Sequence, residues 1–204
     1  MTALLGDRFL RVALAFELGL AALGLAIGRA VGIDPWLDLH PGLRGFALGA
    51  IATIPMAALL LYCDRLPIRA LRRIRQLLDD LILPMLRGRS PTQLALLAFA
   101  AGLGEETLFR GLLQAGLAGR LGPTAALAVS SLAFGLAHAV TPTYAAIASL
   151  IGFYLGWLLL ATGDLMVPVV AHALYDLIAL IYFLRTSPGA TIGPANAPPD
   201  EETT

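Results

Sequence analysis

The chain contains no lysine; all fourteen of its basic residues are arginine. A single cysteine, Cys63, stands among 204 residues. That excludes an intramolecular disulfide and any multi-cysteine metal site. Charged residues make up only 14% of the chain, where a soluble domain carries about 25%. Net charge is zero, and the arginines do not interleave with aromatics, so a nucleic-acid partner has no support. No internal repeat of fixed period is visible. There is no HExxH zinc motif, and Ser130 and Ser131 precede His138 without the pattern of a serine nucleophile. What the chain has in excess is apolar surface: 58% hydrophobic residues and a mean hydropathy of +0.79. The expected class is an all-α integral membrane protein.

Apolar runs long enough to span a bilayer fall at about 10–29, 43–63, 92–119, 122–140, 143–162 and 166–184. The first follows Arg8 and Arg11 and resembles a secretory signal, but its length, Glu17 and the lack of a small-residue cleavage site favour a retained span. Between the second and third runs lies an arginine-rich segment, 64–91. Ile68, Leu71, Ile74, Leu78, Leu81 and Met85 recur in it every three or four residues. This predicts an amphipathic helix on the membrane surface, ending near Pro84 to Gly88. Arginine-rich short loops stay on the inner side, so the N-terminus and this segment are expected inside. The loop at 30–42 is then outside, with Trp36 as an interface anchor and His40 as a loop residue. Residues 1–90 read as N-terminal spans with the basic segment, 91–185 as the part that carries chemistry, and 186–204 as a disordered tail.

Ionisable residues inside spans are costly and mark function by default. Here they form three groups. In GEETLFR, Glu106 and Arg110 are i,i+4 and share a helix face. Glu105 and Arg110 lie roughly 140° apart around the axis. Arg110 therefore neutralises Glu106 and leaves Glu105 without a partner on its own helix, a candidate proton acceptor. In FGLAH, Phe134 and His138 are i,i+4, so the phenyl ring packs beside the imidazole. In HALYD, Asp176 stands i,i+4 from His172 and is the expected partner of one ring nitrogen. A carboxylate and two histidines on three spans converge only inside the bundle. Glu17, in the first span, has no partner that the sequence identifies. Gly102, Gly104, Gly111 and Gly116 are expected to permit close helix packing.

The ordered set EExxxR, FxxxH and HxxxD, carried here by 105–110, 134–138 and 172–176, resembles the CAAX-protease and bacteriocin-processing (Abi) family, the type II CAAX prenyl endopeptidases. The resemblance covers about residues 90–185. It implies an intramembrane endopeptidase in which Glu105 activates water, His138 positions it or moves its proton, and His172 with Asp176 orients and stabilises the oxyanion side. Glu106, Arg110 and Phe134 would support them. One position departs from the eukaryotic pattern: Asp176 stands where those enzymes carry Asn, and an ionised Asp only accepts hydrogen bonds. A zinc ion on Glu105, His138 and His172 is one option that the residue types allow, and a metal-independent glutamate mechanism is the favoured one. The implied partners are a peptide or membrane-protein substrate and the lipid bilayer, and the implied location is a bacterial inner membrane. A proton-linked transporter and a non-catalytic scaffold or immunity protein are the alternatives. One expectation conflicts with the rest. The topology puts Glu105 and His172 in the outer half and His138 near the inner surface, unless the fourth span is displaced or broken near Pro142.

Overall fold

The computed structural model describes residues 2–187; all but the first two residues of the expected disordered tail lie outside them. Among the described residues every regular element is helical. The helices are α1 (Thr2–Val31), α2 (Leu43–Arg65), α3 (Arg69–Leu77), α4 (Leu83–Leu86), α5 (Pro91–Glu106), α6 (Ala115–Leu121), α7 (Pro123–Ala137), α8 (Pro142–Thr162) and α9 (Met166–Thr186). Two π-helical stretches, Leu78–Ile82 and Thr107–Gln114, join α3 to α4 and α5 to α6.

Among the described residues, four helices are long and apolar enough to cross a membrane: α1 from Gly6, α2, α8 and α9. Their outward faces carry exposed Phe16, Ile51, Leu150 and Trp157, surface that suits lipid rather than water. The two remaining apolar runs differ from simple spans. One is the path α5–π–α6, whose helical geometry changes at Thr107. The other is α7, which has 15 residues and is about 22 Å long at 1.5 Å per residue, short of a hydrocarbon core of roughly 30 Å.

That shortness resolves the conflict over depth. The chain reverses at Leu121–Gly122, where Gly122 has φ +79°, a left-handed backbone that favours glycine. Pro123 then opens α7. Glu105 lies sixteen residues before Leu121 and His138 sixteen after Gly122, so an antiparallel hairpin sets them level. Thr141 caps α8 by accepting the N–H of Tyr144 at 3.1 Å. The turn between α7 and α8 therefore sits at the depth of Glu105.

The arginine-rich segment is helical as expected, but its apolar face is re-phased. The π-helical turn at Leu78–Ile82 interrupts the 3.6-residue repeat. Leu81, expected on the apolar face, is 58% exposed, while Leu83 and Leu86 are buried. Leu71, Ile74, Leu78, Leu83 and Leu86 line a cavity inside the bundle. Arg75 fastens this segment to its neighbours. It pairs with Asp64 and Asp79 at 3.2 Å each and donates to Thr186 Oγ1 at 2.9 Å. Arg87 donates to Ser187 Oγ at 3.0 Å.

At the opposite end of the bundle the mostly exposed 32–42 loop is tied down by hydrogen bonds. The indole N–H of Trp36 donates to Thr107 Oγ1 at 2.9 Å, while the residue stays 39% exposed. Leu165 N–H donates to Asp38 O at 2.8 Å, and His40 N–H to Asp164 Oδ1 at 3.2 Å. These contacts cover the π-helical stretch on the side away from the arginine-rich segment.

Candidate active site

Ser90 starts α5 with a reciprocal cap. Its Oγ accepts from Gln93 N–H at 3.2 Å, and Gln93 Oε1 accepts from Ser90 N–H at 2.9 Å. Pro91 occupies the first turn. The cap fixes the phase of α5, and Glu105 and Glu106 end it. The wider π-helical turns follow immediately and carry Arg110; such turns recur at functional sites.

Glu106 and Arg110 are fully buried. Arg110 NH1 donates to Glu106 Oε1 at 2.9 Å and NH2 to the carbonyl of Gly152 at 2.8 Å. Its guanidinium lies over the Phe134 ring, 4.5 Å from the centroid, a desolvated cation–π contact. Glycine at 152 brings the α8 backbone within reach of this side chain, since a Cβ there would stand 3.2 Å from both Arg110 and Phe134. The next position of the Gly152-x-x-x-Gly156 pair works alike: Gln114 Nε2 donates to Gly156 O at 3.0 Å. These two glycines escaped the sequence reading, although small-x-x-x-small spacing in a span was the available signal.

The expected partner of His172 is corrected by the geometry. His172 Nδ1 lies 2.8 Å from Glu106 Oε1. A carboxylate oxygen accepts, so Nδ1 carries the proton and Glu106 sets the tautomer. Asp176 Oδ2 is 3.5 Å from the other nitrogen, Nε2, beyond a good hydrogen bond. Glu106 thus does more than pair with Arg110; one oxygen joins an arginine on its own segment to a histidine on α9.

On the other side of the site, His138 Nδ1 lies 2.9 Å from the carbonyl of Phe134. A carbonyl only accepts, so Nδ1 donates and Nε2 is left facing Glu105. The Nε2–Oε2 separation is 3.7 Å, and Glu105 Oε2 is buried without a hydrogen-bond partner. Phe134 sits at the centre of the cluster. Its ring stacks on His138 at 4.6 Å and meets His172 edge-on at 5.8 Å. Tyr144, unremarked in the sequence, meets His138 edge-on at 6.0 Å. The structure therefore brings Glu105, Glu106, Arg110, Phe134, His138, His172 and Asp176 together from α5, the π-helical stretch, α7 and α9. His40 stands apart, near Asp164 in the opposite loop.

A cavity of about 420 Å³ reaches this cluster at Glu105 and Asp176. Its walls are mainly apolar and its far side is the arginine-rich segment. Gly104 explains how α1 enters the site. A Cβ on residue 104 would run into the backbone carbonyl of Glu17, so glycine lets α1 lie directly against α5 beside Glu105. Gly104→Ala is expected to separate the two helices and to destabilise the fold by about 1–3 kcal/mol, the usual range for overpacking. A thermal melt in detergent within error of wild type would contradict this close approach.

Among the described residues, no three side chains of His, Cys, Asp or Glu converge as ligands for a metal ion. The one nitrogen of His172 not bonded to Glu106 faces Asp176. No step below runs through a metal.

An all-helical multi-pass membrane protein with a buried acid, histidine and arginine cluster at the head of an internal cavity is the class that fold and site define. Within it, residues 88–178 match the family model described as Type II CAAX prenyl endopeptidase Rce1-like. All three motifs fall inside that stretch, so the resemblance they carry holds there and the family concerned is one of peptidases. Comparison with curated proteins and with solved structures finds no match.

Proposed function

We propose that this chain hydrolyses a peptide bond at the depth of the bilayer, with Glu105 as the base that activates water. The observation that carries the reading is the gap between Glu105 Oε2 and His138 Nε2. Two acceptors face each other 3.7 Å apart, with the proton of His138 already given to Phe134 O. Such a pair calls for a donor, and a water molecule beside the gap gives one proton to each and presents its lone pair to a carbonyl carbon. In the attack, the water oxygen bonds to carbon, its proton passes to Glu105, and the carbonyl becomes an oxyanion. Asp176 Oδ2 stands 3.5 Å from His172 Nε2, and a proton carried on either atom would give the oxyanion its donor. The C–N bond then breaks, and the leaving nitrogen takes the proton from Glu105.

Glu106 and Arg110 act by holding His172 in one tautomer and one place. The cavity leads in from the side of the arginine-rich segment, which positive-inside topology puts on the cytoplasmic face of a bacterial inner membrane. Six spans follow if α5–π–α6 and α7 both count as crossings. The family's description names prenylated CAAX substrates; for this chain the proposal is the wider class of peptide or membrane-protein substrates.

The test is hydrolysis of peptides by the purified chain, with and without a chelator. Activity is expected to survive the chelator and to be lost, by roughly 10²-fold or more, in His138→Ala that still elutes as folded protein. Full activity in His138→Ala would remove the water-positioning role. Loss of activity on chelation, restored by zinc, would replace the glutamate mechanism with a metal one.

A further inference from the structure

The carboxylates around the cavity outnumber the cations that face it. Among the described residues that line it, the one arginine is Arg75, and Arg75 is taken by Asp64 and Asp79. Glu106 does not line the cavity; its Oε1 is held by Arg110 and His172, two donors that supply its counter-charge, and Asp176 faces His172. That leaves Glu105 and Glu17. Glu105 is 8% exposed, and its Oε2 has no hydrogen-bond partner. Glu17 comes from α1, outside the stretch that matches the peptidase family. It lines the same cavity as Glu105, Tyr144 and Asp176. Its Oε2 is buried without a partner, and no ion pair includes Glu17 among the described residues. It is close enough to feel the charges of Glu105, Asp176 and His172. The carbonyl of Glu17 against Gly104 sets it level with Glu105.

An anionic group held out of water without a counter-charge is costly. A guest that brings the counter-charge recovers that cost, and the apolar walls below accept the rest of a peptide. We infer that Glu17 is a specificity residue: it receives a lysine or arginine side chain of the substrate, close to the bond that is cut. The inference rests on the endopeptidase reading for the words "substrate" and "cut", but the cation-binding role of Glu17 is separable from it.

The experiment uses a library of N-acetylated, C-amidated peptides with randomised central positions that include lysine, arginine and norleucine. In the first arm the library is passed over the immobilised full chain carrying Glu105→Ala, and retained peptides are sequenced by mass spectrometry. Lysine and arginine are expected to be enriched roughly tenfold over norleucine. Adding Glu17→Gln, an isosteric neutral change, is expected to bring the ratio near one, and Glu17→Asp, which keeps the charge, to preserve it. No enrichment in the Glu105→Ala background, or the same enrichment with Glu17→Gln, overturns the inference. In the second arm the wild-type chain cleaves the library, and cuts are expected within about three residues of lysine or arginine. Absence of any cleavage there sinks the endopeptidase reading and leaves the retention result to decide the role of Glu17. Cleavage with no charge preference overturns the inference.

Discussion

Glu105→Gln is expected to lower kcat for peptide hydrolysis by roughly 10²- to 10⁴-fold, the span that a general base contributes, while the protein melts at the same temperature or higher. Both halves come from the same observation. Glu105 is 8% exposed, its Oε2 has no hydrogen-bond partner, and Arg110 is committed to Glu106 and Gly152. A carboxylate so placed is a burden on stability, tolerated where activity needs it. Glutamine keeps the shape, removes the negative charge and cannot take the water's proton. The check is a pair of measurements on one preparation: turnover of a cleaved peptide and thermal unfolding in detergent. Wild-type turnover in Glu105→Gln would end the assignment of the base. A large fall in melting temperature would show instead that Glu105 is a structural residue.

Arg110→Ala should have the opposite profile, with stability lost first and activity as a consequence. The guanidinium is fully buried and serves three partners at once: Glu106, the Gly152 carbonyl and the Phe134 ring. Its removal strands Glu106 in the interior, and breaking a buried pair from one side costs about 3–5 kcal/mol. His172 would lose its fixed position too, since the oxygen that holds it is the one Arg110 binds. Lysine does not rescue the site, because a single ammonium cannot fork between two oxygens and lie flat on a ring. The double variant Glu106→Gln/Arg110→Met, which removes both charges, should recover much of the stability and none of the activity. Unfolding of Arg110→Ala in detergent within about two degrees of wild type would contradict the account, since a loss of this size moves a melting temperature much further.

Much of the fold and of the site could be read from residue order. The apolar runs gave α2, α8 and α9 to within two residues and α1 without its first two turns, because twenty consecutive apolar side chains have few other uses. The pairing of Glu106 with Arg110, and the packing of Phe134 against His138, followed from i,i+4 spacing. Two of the readings that failed have causes in local helix geometry. The apolar face of the arginine-rich segment was misplaced at Leu81 because a π-helical turn is a change of period that composition does not announce. The depth of His138 was misjudged because span lengths were taken from hydropathy. The signal for the shorter α7 was Gly122–Pro123, which centres a hairpin on equal distances to Glu105 and His138.

By itself, the sequence determined that this chain lives in lipid and that its few ionisable groups must gather in the interior, because an isolated charge in hydrocarbon has nowhere else to go. Only the tertiary structure decided which group holds which. Hydrogen bonds between helices depend on axial rotation and on backbone approach, and both are set by small residues that the motif pattern does not specify: Gly104 against Glu17, and Gly152 and Gly156 beneath Arg110 and Gln114. For that reason the partner of His172 proved to be Glu106 rather than Asp176, at 2.8 Å against 3.5 Å. Glu17, one carboxylate alone in its span, acquired neighbours only when α1 closed on α5.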